Sequence, residues 1–69
     1  MAILKVIEVL AESNESWEDA TKQAVAEASK TVHNIQSIYI KDFQAIVEDN
    51  QIVKYRINGK ISFIVEDKK

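Results

Sequence analysis

An α+β fold in the order β-α-β-β is what this sequence predicts, and three observations predict it. From Gln51 to Glu66 the residues alternate. Val53, Tyr55, Ile57, Ile61, Phe63 and Val65 share one parity, with Gly59 as the gap, while Lys54, Arg56, Asn58, Lys60, Ser62 and Glu66 share the other. A period of two marks a strand with one buried face. Trp17, Ala20, Ala24, Ala28 and Val32 recur at helical spacing, with Val25 widening the stripe. Ala2 to Leu10 is aliphatic and β-branched, broken only by Lys5 and Glu8.

The elements follow in order. The first strand is expected over Ala2–Leu10, and Ala11–Glu15 reads as a polar connector. Ser16-Trp17-Glu18-Asp19 has the form of a capping box with Ser16 as N-cap, and Glu15, Glu18 and Asp19 sit at the positive end of the helix dipole. The helix is expected to run to about Thr31 or His33 and to stop near Asn34, which tolerates the left-handed conformation. Its stripe is mostly alanine, so it can approach a sheet closely. The second strand, Ile35 to Glu48, changes parity: Ile38 and Ile40 share one, Phe43, Ala45 and Val47 the other. A β-bulge near Lys41-Asp42 accounts for that. Glu48-Asp49-Asn50-Gln51 is a tight turn into the third strand, with Asp-Asn suited to positive φ.

That third strand is too long for its domain. Fifteen residues at about 3.3 Å each span roughly 50 Å, while a compact chain of 69 residues has a radius of gyration near 11 Å. The strand either bends at Gly59 or reaches out to another subunit, and the second reading is preferred. Composition agrees. One small domain over residues 1–69 has a marginal core. With no cysteine and a single histidine, disulfides, thiolate metal sites and multi-histidine sites within one subunit are excluded, which leaves self-association.

A net charge of −2 without a basic cluster argues against nucleic acid. No apolar run approaches a membrane span, and Met1 to Leu10 lacks the features of a signal peptide, so a cytoplasmic location is expected. Ser13, Ser16, Ser29, Ser37 and Ser62 show no nucleophile-elbow context and share one histidine, His33, whose place at a helix C-terminus is explained by the dipole. An enzyme is therefore not expected. Trp17 reads as a core or interface anchor.

Lys5-Val6-Ile7-Glu8, Ser16-Trp17-Glu18-Asp19-Ala20, Lys30 to Ile35, Glu48-Asp49, Tyr55-Arg56-Ile57 and Lys60-Ile61-Ser62-Phe63 occur in the order and spacing of the dodecin family, and the chain resembles it over nearly its whole length. The resemblance implies a hollow homododecamer, a tetramer of trimers, that binds or stores flavin (FMN or riboflavin) and is not an enzyme. It also implies a departure. Flavin-binding dodecins stack the ring on a Trp early in the second strand and hydrogen-bond it with a Gln after the Tyr of the third. Here those positions are Ser37 and Arg56. Ser37 offers no aromatic platform, and Arg56 donates only, so it cannot serve both the donors and the acceptors of a flavin edge. Flavin binding in the family manner is expected to be weak or absent, with Tyr39, about 7 Å from Ser37, as a substitute ring.

Arg56 has two readings: an inter-subunit ion pair with a carboxylate such as Asp42 or Glu48, or an anion contact. A cation reading exists as well, since some dodecin-like chains that lack the Trp and carry Tyr-Arg-Ile are associated with calcium. Glu48-Asp49-Asn50 and the Glu12–Glu15 segment, with carboxylates Glu12 and Glu15, are the candidate Ca2+ ligands. One subunit falls short of the six to eight oxygens that calcium takes, so symmetry would have to complete the site. Tyr55, Ile57, Ile61 and Phe63 are the expected oligomer-interface residues.

Overall fold

Four elements appear in a computed structural model that describes residues 2–67: β1 (Ala2–Ser13), α1 (Trp17–Ala28), β2 (Ile35–Glu48) and β3 (Gln51–Asp67). The strands form one antiparallel sheet in the order β1-β3-β2, with β3 central. The α+β class and the β-α-β-β order are those read from the sequence.

The strand β1 continues to Ser13, past the expected end at Leu10. Ala11, Glu12 and Ser13 pair with Ile57, Arg56 and Tyr55, so the polar composition of the segment hides an edge strand with one wet face. The helix is shorter than expected. Ser16 is its N-cap, with its side chain accepting from the Asp19 backbone N–H at 2.9 Å. The capping box is only half formed, because the Asp19 carboxylate turns instead to the Ser13 hydroxyl (2.6 Å) and the Gln23 amide (2.5 Å). The Ser13 hydroxyl in turn accepts from the Glu15 backbone N–H at 2.9 Å. At the other end the ladder tightens: Lys30 and Thr31 donate to carbonyls three residues back, Glu27 and Ala28. The helix closes at Ser29, and the left-handed residue Asn34 (φ 62°) reverses the chain into β2. His33 therefore lies beyond the helix, and the dipole does not explain it.

Register shifts place a bulge at Lys41, as the change of parity requires, with others at Gln36 and opposite the Ile46/Val47 step. The β2–β3 turn holds Asp49 at φ 53° and Asn50 at φ 64°, the two positive values of a type I′ hairpin, whose twist matches the flanking strands.

The long strand does not fold over at Gly59. The molecule measures 55 × 20 × 14 Å, with a radius of gyration of 14.3 Å. Gly59 instead permits a close approach, because a Cβ there would lie 3.2 Å from the Tyr39 carbonyl oxygen and 3.3 Å from Ile38. The Ile38 side chain and Tyr39 carbonyl of the neighbouring strand β2 occupy the space that a side chain at this position would need.

The helix lies over β1 and β3. Ala20, Ala24 and Ile57 form the core, with Val9, Ala11, Trp17, Ile38 and Ile40 packed around it. Ile57 and Ile61 have no exposed surface within a single chain. Both belong to the core of the single chain, whereas the sequence reading expects them at the oligomer interface. Tyr55 and Phe63 are half-buried. The apolar surface that remains open is elsewhere, at Leu10 (71% exposed), Phe43, Val6, Val47 and Ile52.

Candidate functional site

Cross-strand register sorts the side chains onto two faces. Opposite the helix, the residues of β1, β3 and β2 fall into rows: Val6–Ser62–Ser37, Glu8–Lys60–Tyr39, Leu10–Asn58–Asp42 and Glu12–Arg56–Gln44. This face is polar along its centre and carries every flavin-site equivalent named from the sequence.

Ser37 meets Ser62 with 2.6 Å between their hydroxyl oxygens. Tyr39 is exposed beside Lys60. Arg56 donates from Nε to Glu12 Oε2 at 2.7 Å, places a terminal nitrogen 2.5 Å from the same oxygen, and reaches Gln44 Oε1 at 3.4 Å. Lys54 approaches the other Glu12 oxygen at 3.6 Å. The hydrogen bond from Arg56, reinforced by both positive charges, holds the Glu12 carboxyl below the usual carboxylate range. Arg56 is thus ion-paired within its own chain to Glu12. Asp42 and Glu48, expected from the sequence as partners from another subunit, stand in other rows of the same chain: Asp42 opposite Asn58 and Glu48 opposite Gln51. Sequence reasoning misses Glu12 and Gln44 as partners of Arg56, because only the register of three strands brings them together.

Ser37 and Arg56 are not brought together. Ser37 stands opposite Ser62, six residues along β3 from Arg56, a separation of about 20 Å. A site containing both positions has to draw them from different copies of the chain.

The candidate calcium ligands are likewise spread. Glu48, Asp49 and Asn50 are at the hairpin tip, while Glu12 and Glu15 flank the β1–α1 connection. Among the described residues no group of three or more His, Asp or Glu side chains is close enough to hold a metal ion. Among them too, one buried polar side-chain atom lacks a partner, Asn58 Oδ1, in the row between Arg56 and Lys60.

Trp17 anchors the N-terminal end of the helix. Its indole N–H donates to the Gln44 carbonyl at 2.8 Å, and its ring meets Tyr55 and Phe43 edge-on, with centroids 5.0 and 5.9 Å away. A groove of about 730 Å³ runs between α1 and β1, lined by residues that include Ile7, Val9, Ala24 and Ala28. A smaller polar niche of about 300 Å³ lies among Glu12, Ser13, Asn14, Gln23 and Lys54.

Among the described residues no helix is long and apolar enough to cross a membrane. Fold and faces together define a small β-α-β-β protein with a sheet far longer than its helix and a polar stripe down the uncovered side. The chain belongs to the dodecin family, whose model matches residues 3–66. It is similar to the calcium dodecin of Mycobacterium tuberculosis, with 32% identity over 63 residues that cover 91% of this chain and 89% of that one. The crystal structure of that calcium-chelating antigen superposes with a TM-score of 0.81 at 28% identity, covering 97% and 96% of the two chains. The dodecin from Streptomyces davaonensis has the same fold, with a TM-score of 0.89 at 21% identity and coverage of 96% and 97%.

Proposed function

We propose that twelve copies of this chain, as four trimers, form a closed, non-catalytic shell in the cytoplasm that binds, buffers or stores a small ligand, and that flavin is not held in the family manner. The observation that carries this reading is the state of the two flavin-site positions. Ser37 is hydrogen-bonded to Ser62, and Arg56 is clamped by Glu12 and Gln44. Neither offers a ring platform or a free amide. Exposed apolar side chains such as Leu10, Val6 and Phe43 support self-association, since a monomer gains nothing by leaving them in water.

A second reading, a shell that binds Ca2+, is favoured by the 32% identity to a calcium dodecin. Its ligands would be carboxylates repeated by symmetry, drawn from Glu48, Asp49 and Asn50 or from Glu12 and Glu15. Because Glu12 is already engaged by Arg56 and Lys54, the hairpin tip is the better source. Residual FMN or riboflavin binding would fall to Tyr39.

Native mass spectrometry of the purified protein tests these readings. A mass of twelve times 7.9 kDa supports the shell, and a monomer refutes it. Melting curves with a chelator and with added calcium then separate the ligands. Saturation at a hundredfold above the dissociation constant adds about 2.7 kcal/mol per site, so an unmoved transition removes the calcium reading. A yellow protein with one flavin mass per site would restore the flavin reading.

A further inference from the structure

The β2–β3 hairpin outruns the rest of the molecule. The last β1–β3 pair is Ser13–Tyr55, so Gln51 to Lys54 and their β2 partners extend without a third strand, an overhang of about 13 Å. The helix does not reach it either, because α1 begins at Trp17, whose ring ends the core against Phe43 and Tyr55. Beyond that point Val47 and Ile52, a cross-strand pair, are 58% and 53% exposed. A two-stranded ribbon is marginal alone in water, and here it carries a bare apolar pair.

The groove between α1 and β1 is the complementary feature. Its α1-side wall, residues 23–31, runs from Gln23 into the turn after Ala28, on the order of 12 Å at about 1.5–2 Å per residue, close to the length of the overhang. Alanines line that wall, so another backbone can approach it closely. No described segment of the same chain fills it. Its own hairpin cannot, since the β1 residues of the groove pair with Arg56 to Ile61, and the turn at Asp49-Asn50 lies six or more residues further along a continuous strand, about 20 Å away.

The geometry points to a head-to-tail contact in which the hairpin tip of one copy, through Val47 and Ile52, seats in the α1–β1 groove of the next. This rests on the self-association proposed above. The contact is heterologous, so it closes into a ring when the rotation permits. Its tip carries Glu48 and Asp49 against Lys54, and its rim carries Glu12 and Glu27 against Lys30. On the rim, however, Glu12 is paired with Arg56 and Lys54 of its own chain and Glu27 with Lys30, so it carries no surplus charge. The contact is therefore driven by apolar burial.

The absence of cysteine from the chain makes the test clean. Ile52→Cys combined with Ala28→Cys, treated with a short bis-maleimide, is expected to give a ladder of covalent multimers at dilute protein. Ile52→Cys alone is expected to give far less, as is Ile52→Cys with Ser62→Cys on the opposite face. Val47→Cys with Lys30→Cys is a second pair that spares the alanine wall. Native mass spectrometry on the same samples separates the failures. An intact oligomer that neither pair cross-links overturns the docking and leaves the shell standing. A monomeric wild-type protein overturns both.

Discussion

Ile57→Ala probes the packing of the helix against the central strand of the sheet. Ile57 is fully buried, paired with Ala11 on β1 and Phe43 on β2, in a cluster with Ala20 and Ala24. Truncation removes three carbons, about 2.4 kcal/mol at roughly 0.8 kcal/mol each. The void cannot close easily, because the facing helix residues are alanines with no side chain to swing inward. A residual cavity of about 50 Å³ adds about 1.2 kcal/mol at about 24 cal/mol per Å³. The expected loss is about 3.5 kcal/mol, against a total of about 3–10 kcal/mol for a chain of this size. Urea unfolding followed by the fluorescence of Trp17, the sole tryptophan, reads it as a shift of midpoint at unchanged slope. Wild type and variant must share one protein concentration, since assembly couples to unfolding. A loss below about 1 kcal/mol, no more than Ile57→Val should cost, would mean that the helix is not seated on Ile57 and would refute this packing.

Leu10→Ala separates monomer from assembly: at 71% exposure it should cost under about 0.5 kcal/mol in a lone chain, and about 2 kcal/mol or more if a neighbour covers it, as read by the same unfolding assay. Gly59→Ala places a methyl 3.2 Å from the Tyr39 carbonyl oxygen, a backbone atom held in the β2–β3 ladder that would have to give by a few tenths of an ångström; a loss of about 1–3 kcal/mol is expected, and a neutral result would show that β2 yields. Glu12→Gln should flatten the acid limb of the stability curve. The depressed Glu12 carboxyl contributes stability above its unfolded value of about 4.3 and loses it as pH falls through the lower folded value, so melting temperatures that fall in parallel for both proteins between pH 5 and pH 3 would refute the Arg56 clamp. Ser37→Trp with Arg56→Gln should recover flavin binding, seen as quenching of free flavin fluorescence; no gain would mean that the pocket between copies has closed.

The backbone plan is legible because it is written in periodicity. The alternation of β3, the parity change at Lys41, the cap at Ser16 and the positive φ at Asp49 and Asn50 are local signals, and local physics decides them. Element ends are less legible. Ala11-Glu12-Ser13 looks like a connector, yet each residue has a partner on β3. The helix stops at Ala28 without a glycine, by tightening its last turn. The parity of Ile57 and Ile61 marks them as inward-facing, but a single sequence does not say whether an inward face meets its own helix or a neighbour. The alanines of α1 hold that information, since a wall of small residues lets the helix bury both isoleucines within one chain.

The candidate site is least legible, for a geometric reason. Arg56 finds its carboxylate in Glu12, 44 residues away, through a β1–β3 register that depends on β1 reaching Ser13. Moving that pairing by one residue would turn Glu12 to the helix side. The distance between Ser37 and Arg56 carries the same lesson to function. Substitutions at two positions about 20 Å apart on one strand pair can alter a single ligand site only if that site is built between copies. On the function proposed above, the chemistry of such a site would belong to the assembly and not to one chain. In that assembly each position recurs in every copy, so Ser37 and the clamped guanidinium of Arg56 would act on all symmetry-related sites together.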